Sequence, residues 1–314
     1  MTATAGTDQE TAIELMPKRR WGTYGAAGIV LVLVAALVRA VVTDKRFEWG
    51  VIGHYLFHGT VMKGLLVTLE LTVISMAIGI VLGIVLALMR MSSNPVLGGV
   101  SRFYIWAFRG VPLLVQLLIW FNLASLFPRL GLGIPFGPLV VSASSNVIIG
   151  TYTAALLGLG LHEAAYMAEI IRAGVISVDA GQHDAAAALG MSKRMSMRRV
   201  VLPQAMRVII PPTGNEVISM VKSTSIVSVI SLAELLYSVQ IIYSQNFQTI
   251  PLLMVASIWY LAIIGILSLL QAQLERRCAR GRNRRAGGFG LRRLFAPRGD
   301  QPAQVLESLD RSSL

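Results

Sequence analysis

The chain of 314 residues is 54% hydrophobic and 14% charged, with a mean hydropathy of +0.65. Soluble domains carry about 25% charged residues, so this composition excludes an ordinary water-soluble fold and indicates an integral membrane protein. The net charge of +12 is read as basic residues gathered on the cytoplasmic side of membrane spans, with no nucleic-acid partner, and the single cysteine, Cys278, excludes an internal disulfide and a cysteine-based metal cluster.

Residues 1–17 are polar, and 1–21 are expected to be a disordered cytoplasmic N-terminus. Lys18-Arg19-Arg20 then precedes an apolar run from Tyr24 that resumes beyond Arg39 to Val42. No small-x-small cleavage site comes before Arg39, so a retained signal-anchor helix over 22–42 is predicted. Residues 44–59 are mixed and aromatic and suit a short helix in the outer interface. Together, residues 22–59 form an additional transmembrane helix with its interfacial segment. His54 and His58 lie here without a carboxylate beside them, a weak metal pattern, and are read as interfacial residues.

A long span runs from Val61 to Met89, with Lys63 and Glu70 in its amphipathic first third. The next covers 102–127. It holds Gln116 and the run Arg109-Gly110-Val111-Pro112, where proline is expected to kink the helix. Residues 128–147 are rich in Pro, Gly and Ser and read as an external loop. The fourth span, 148–173, carries Glu163 near its middle and Glu169, which is placed to pair with Arg172 three residues on.

The stretch Gly181–Ala205 is strongly polar and lies between two apolar spans. Asp184 to Leu189 is rich in alanine and predicts a short helix. Gly190 then offers a left-handed stop, and Ser192 an N-cap for a second short helix carrying Lys193, Arg194, Arg198 and Arg199. Pro203 suits the first turn of the helix that follows. A snorkelling interfacial loop is one reading of this elbow. The other is a docking knob, where alanines let a partner's surface approach closely.

The fifth span runs from Leu202 to Met220 and is expected to be broken early by Pro211-Pro212-Thr213-Gly214, ahead of Asn215 and Glu216. Residues 222–249 are too polar for a simple span and too apolar for a loop, and predict short helices on the outer half. The sixth span covers 250–272, and 273–314 reads as a basic cytoplasmic tail. With the N-terminus inside, the short loops place twelve Lys and Arg on the cytoplasmic side and six outside. That asymmetry supports six spans, both termini in the cytoplasm and the elbow inside.

The elbow resembles the EAA loop of ABC-importer permeases on Asp184, Ala185, Ala186, Gly190, Val200, Leu202 and Pro203, with every gap matching and Asp184 where Glu is usual. The stretches from Gly64, Arg109 and Pro211 are similar to the subgroup that imports polar amino acids, departing at Ser223, where Asp is frequent. The resemblance covers residues 60–272. It implies an all-α integral membrane fold, the type I ABC importer transmembrane domain, with a five-helix core behind one additional N-terminal helix. It also implies a permease subunit of a multi-pass bacterial plasma-membrane importer for polar amino acids. The implied partners are a cytoplasmic ABC ATPase dimer, a second permease subunit, identical or related, and an extracytoplasmic substrate-binding protein. Asp184, Ala185, Ala186 and Gly190, within a coupling loop at 181–203, would meet the ATPase. The chain has no GxxxxGK[ST] phosphate loop, so it is read as a transporter subunit without a cofactor, ATP and Mg belonging to the ATPase.

Ionisable groups at membrane depth call for a partner or a purpose. Glu163, Asn215 and Glu216, with Glu70 and Gln116 behind them, are the candidates for lining a substrate pathway; internal pairing is the competing reading. For a substrate carboxylate, Lys222 or a helix N-terminus beside a proline break is the candidate cation. A secondary carrier, or a transport-like sensor or scaffold without an ATPase, is the alternative function.

Overall fold

Small residues decide how the two central helices meet. In α3 (Gly59–Arg90), Gly79 and Gly83 present bare backbone to α8 (Thr151–Ile176), and Gly160 of α8 does the same toward α3. A Cβ at Gly79 would come 2.5 Å from Glu163 Cγ, one at Gly83 2.6 Å from Met167 Cβ, and one at Gly160 2.8 Å from Ile78 Cγ2. Helices in lipid gain little from hydrophobicity, so their association rests on such close backbone approach. A methyl forced into one of these contacts would cost about 1–3 kcal/mol in strain.

The computed structural model describes residues 21–133 and 139–279. Helix α1 (Trp21–Thr43) belongs to one compact unit, and residues 45–279 to another. In the second unit a 3-10 turn, Lys45–Phe47, leads into α2 (Trp49–Leu56) and α3. Then come α4 (Pro95–Gly110), α5 (Leu113–Phe121), α6 (Leu123–Leu126), strands β1 (Arg129–Gly133) and β2 (Leu139–Ser144), α7 (Ser145–Ile148) and α8. After them lie α9 (Ala180–Ala188), α10 (Lys193–Ser196), a π turn at Met197–Val201 and α11 (Leu202–Ser223). A 3-10 segment at Thr224–Ile230, α12 (Leu235–Asn246) and α13 (Thr249–Ala279) complete the unit.

Among the described residues, α3, α8 and α13 are long and apolar enough to cross a membrane, and two bent helix pairs qualify if each is one span. A shorter apolar helix covers Gly28–Thr43. By length and composition the described residues thus hold three to five span candidates, with this shorter helix where the first of the six spans is expected. The main core joins Leu71 and Met76 of α3, Leu117 of α5, Leu159 and Met167 of α8 and Met220 of α11. A second cluster packs Ile52 of α2 and Val61 of α3 against Leu235 and Val239 of α12 and Leu252 and Val255 of α13. Helix α4 is tied down by Ser101 Oγ donating to Leu86 O (2.8 Å) and by Tyr104 Oη donating to Leu161 O (2.9 Å).

Four expectations are corrected. The span at 102–127 is not one kinked helix: α4 begins at Pro95, and the chain bends by 101° between α4 and α5. Proline drives the residue before it out of the helical region, and Val111 is extended at φ −96°, ψ 132°. By contrast, α11 runs unbroken through Pro211 and Pro212. The external loop holds an antiparallel hairpin, with Arg129 paired to Ser144 and Leu132 to Val141, so the fold carries one small sheet beside its helices. The last span reaches Ala279 rather than ending at 272. Residues 1–20, 134–138 and the tail from 280 lie outside the described residues.

Candidate functional site

The elbow is built as its sequence dictates. Asp179 Oδ1 accepts from Gly181 N (2.9 Å) and caps α9. Gly190 closes it at φ +71°, with Gly190 N donating to Ala187 O (2.9 Å) and Met191 N to Ala186 O (3.0 Å). That crossed pair of bonds is the Schellman cap, which the left-handed glycine makes possible. Ser192 Oγ accepts from Met195 N (3.3 Å) and starts α10. The expected second helix divides here into α10 and the π turn, a conformation concentrated at functional sites.

The elbow has a fixed base. Ala186 is buried against the chain, while Asp184, Ala185 and Gly190 face outward. Leu189, beside Gly190, is 81% exposed, an apolar side chain presented at the tip. Gln204 Nε2 at the start of α11 donates to Gln182 Oε1 (3.3 Å), and Val178, Val201, Ala205 and Ile209 form a core under the elbow. The Gln182–Gln204 bond thus ties α9 to the first turn of α11.

About 21 Å along α11 from its first residue, at 1.5 Å per residue, Glu216 meets Glu163 at a cavity of about 310 Å³. Its walls carry His162, Glu163 and Tyr166 of α8, Glu216, Ser219 and Ser223 of α11, and Leu113 at the start of α5. Glu163 is only 4% exposed, and its Oε1 has no hydrogen-bond partner. The Arg109 guanidinium lies over the Tyr166 ring at 5.0 Å from the centroid. The arrangement offers two carboxylates and hydroxyls around a space of small-molecule size, with Arg109 stacked on one of the lining residues, Tyr166.

The other candidates separate from this site. Asn215 is exposed, one helical step of about 100° away from Glu216. Glu70 is exposed and accepts from Tyr152 Oη (2.8 Å). Gln116 is buried, and its Nε2 lies 2.8 Å from Phe108 O and 2.7 Å from Val111 O, the carbonyls left over where α4 ends. It also lies 3.1 Å from His162 Nδ1. Gln116 therefore braces the bend that seats Arg109. Glu169 pairs with Arg172 at 2.8 Å as expected, and Lys222 is exposed away from the cavity. His54 and His58 do not share a helix, since His58 caps α3 through Thr60 N (3.3 Å).

Sequence reasoning missed Arg109, noting it only as the start of the run that ends in Pro112, and also Tyr166 and His162. A usable signal existed. His162 and Tyr166 are four apart, and Glu216, Ser219 and Ser223 fall on one helical face at spacings of three and four.

Span-length helices with two sharp breaks, a polar cavity between them and an exposed elbow rooted in a cavity-lining helix define a membrane transport subunit. Residues 79–280 match the family described as binding-protein-dependent transport system inner membrane component, and the chain belongs to that family. It is 43% identical to the arginine transport system permease protein ArgU of Corynebacterium glutamicum over 96% of this chain and 94% of that protein. It is 41% identical to the octopine transport system permease protein OccM of Rhizobium meliloti, over 68% of this chain and 84% of the relative. Among solved structures, an amino acid ABC transporter aligns with a TM-score of 0.60 at 38% identity, covering 69% of this chain and 94% of that one. The MetNI methionine ABC transporter aligns at 0.55 and 18% identity, over 70% of this chain and 97% of its own, a likeness of fold.

Proposed function

We propose that this chain is the permease subunit of an ATP-driven amino-acid importer of the bacterial inner membrane. Glu163 carries the reading: a buried carboxylate without a protein partner is costly in a membrane and suits a cationic group that arrives and leaves. A substrate ammonium sits between Glu163 and Glu216, and its carboxylate turns to Arg109, held over Tyr166. The relative named for arginine makes L-arginine the first substrate to test. An extracytoplasmic binding protein delivers it, and a second permease subunit, identical or related, completes the pathway. The elbow enters a cytoplasmic ABC ATPase dimer, where ATP and Mg act, and both chain ends face the cytoplasm.

The test is L-arginine uptake by the transporter reconstituted with its ATPase and binding protein. Glu163→Gln and Glu216→Gln should each lower uptake about 10-fold to 100-fold, the worth of one hydrogen bond to a charged group. Expression and ATPase association should be unchanged. Gly190→Val should lose uptake while the protein stays in the membrane, because a β-branched residue resists φ +71°. Normal uptake in both Gln variants removes the carboxylates from the pathway. Normal uptake in Gly190→Val removes the elbow from coupling.

A further inference from the structure

Helix α11 joins the elbow to Glu216, and its hydrogen-bond ladder is thinnest between them. Pro211 and Pro212 have no N–H, so the carbonyls of Arg207 and Val208 lose their usual helical donors. Thr213 Oγ1 turns back to Ile209 O (2.9 Å), a bond that bends helices. Into this weakened turn reaches Gln271 of α13, 5% exposed. Its Nε2 donates to Pro211 O (2.6 Å) and to Glu275 Oε1 (2.9 Å), which uses both amide protons, while Oε1 has no partner. Gly214 makes room for it: a Cβ there would overlap the Gln271 amide.

The other part of α13 is a fixed post. Trp259 Nε1 donates to Leu56 O (2.8 Å), and Tyr260 Oη to the buried carboxylate of Glu234 (2.9 Å). Packing alone does not account for Gln271, since an apolar side chain of its size would fill the space without an orphaned buried oxygen. We propose that Gln271 is the pivot of a hinge at Pro211–Gly214, holding α11 to α13 so that movement of the elbow reaches Glu216. It is a positioning residue and touches no substrate. The inference rests on the elbow being the coupling point to the ATPase.

The experiment measures L-arginine transported per ATP hydrolysed by the full transporter in proteoliposomes. Gln271→Met keeps the length and removes both donors. Gly214→Ala leaves Gln271 in place but pushes its flexible end off Pro211 O, so it carries the test if Gln271→Met does not assemble. Each should lower the transport-to-ATP ratio about fivefold, the factor a single buried hydrogen bond is worth. The KM for L-arginine should not change, and the double variant should be no worse than Gln271→Met alone, because both changes break one contact. A ratio like wild type with only a lowered melting point overturns the pivot, as do additive losses or a raised KM at unchanged turnover. If Gly190→Val transports normally, the coupling reading itself has failed. If Gly190→Val is inactive and the two hinge variants are normal, only the hinge has failed.

Discussion

Removing the charge of Glu234 tests how this bundle keeps a polar group inside it. Glu234 has no exposed surface and caps α12. Its Oε1 accepts from Tyr237 N (2.8 Å), and its Oε2 from Leu236 N (2.9 Å), Tyr260 Oη (2.9 Å) and Thr68 Oγ1 (3.5 Å). Thr68 Oγ1 in turn accepts from Leu235 N (3.1 Å), so α3, α12 and α13 meet at one carboxylate. Glu234→Gln keeps the shape but turns one acceptor into a donor. With its oxygen kept toward Leu236 and Tyr260, its NH2 faces Tyr237 N–H, which is left buried and unpaired. One charge-assisted bond lost and one donor stranded cost about 2–4 kcal/mol. At roughly 2–4 °C per kcal/mol for a unit of this size, the unfolding midpoint should fall by about 5–15 °C. The assay is thermal unfolding in detergent, followed by the loss of the monodisperse species on size exclusion. Tyr260→Phe should cost about 1 kcal/mol, and the double variant less than the sum, because the two share a bond. A Glu234→Gln midpoint within about 2 °C of wild type, against the shift worked above, would refute the accounting.

Gln116→Leu should unseat the α4–α5 bend by leaving Phe108 O and Val111 O unpaired, at about 1–3 kcal/mol for each carbonyl. Its sign is a lowered midpoint together with weaker L-arginine uptake, since Arg109 is carried on that bend, whereas uptake like wild type would detach the bend from the site. In a Cys278→Ser background, single cysteines at Ser142 on the hairpin and at Met195 in the elbow should react with an impermeant maleimide from opposite sides of the membrane. Met195 should label only from the cytoplasm, and the reverse pattern would overturn the orientation.

The elbow was legible because its determinants are local. Alanine propensity, a glycine at the stop, a serine cap and a proline in the first turn each act within a few residues, and the structure places each where spacing put it. The proline breaks were not, because a proline fixes only its neighbours' dihedrals. At Gly110-Val111-Pro112 the residue before the proline is extended and the chain turns by 101°. At Pro211-Pro212 the helix survives with outside support, including Gln271, sixty residues away in sequence and invisible to any local rule. The hairpin was hidden by its loop-like composition, although Leu139 to Ser144 is a short run with two adjacent valines, and its pairing with Arg129 to Gly133 is a tertiary fact.

The buried polar groups also show why charge at membrane depth did not by itself distinguish site from scaffold. Glu234 and Glu163 read alike in sequence, acidic residues amid apolar neighbours, yet the structure treats them oppositely. Glu234 takes bonds from two backbone amides, a phenol and a hydroxyl, which is the provision expected for a carboxylate that holds helices together. Glu163 takes none from the described residues, and α3 passes it with bare backbone at Gly79 rather than with a donor. A scaffold carboxylate left in that state would destabilise the bundle by several kcal/mol and return nothing. What lies before it is a cavity that also carries Glu216, and on the function proposed above the missing donor is the substrate's. The number of donors a buried acid already holds, rather than its depth or its neighbours in sequence, is what sets Glu163 apart from Glu234 in this chain.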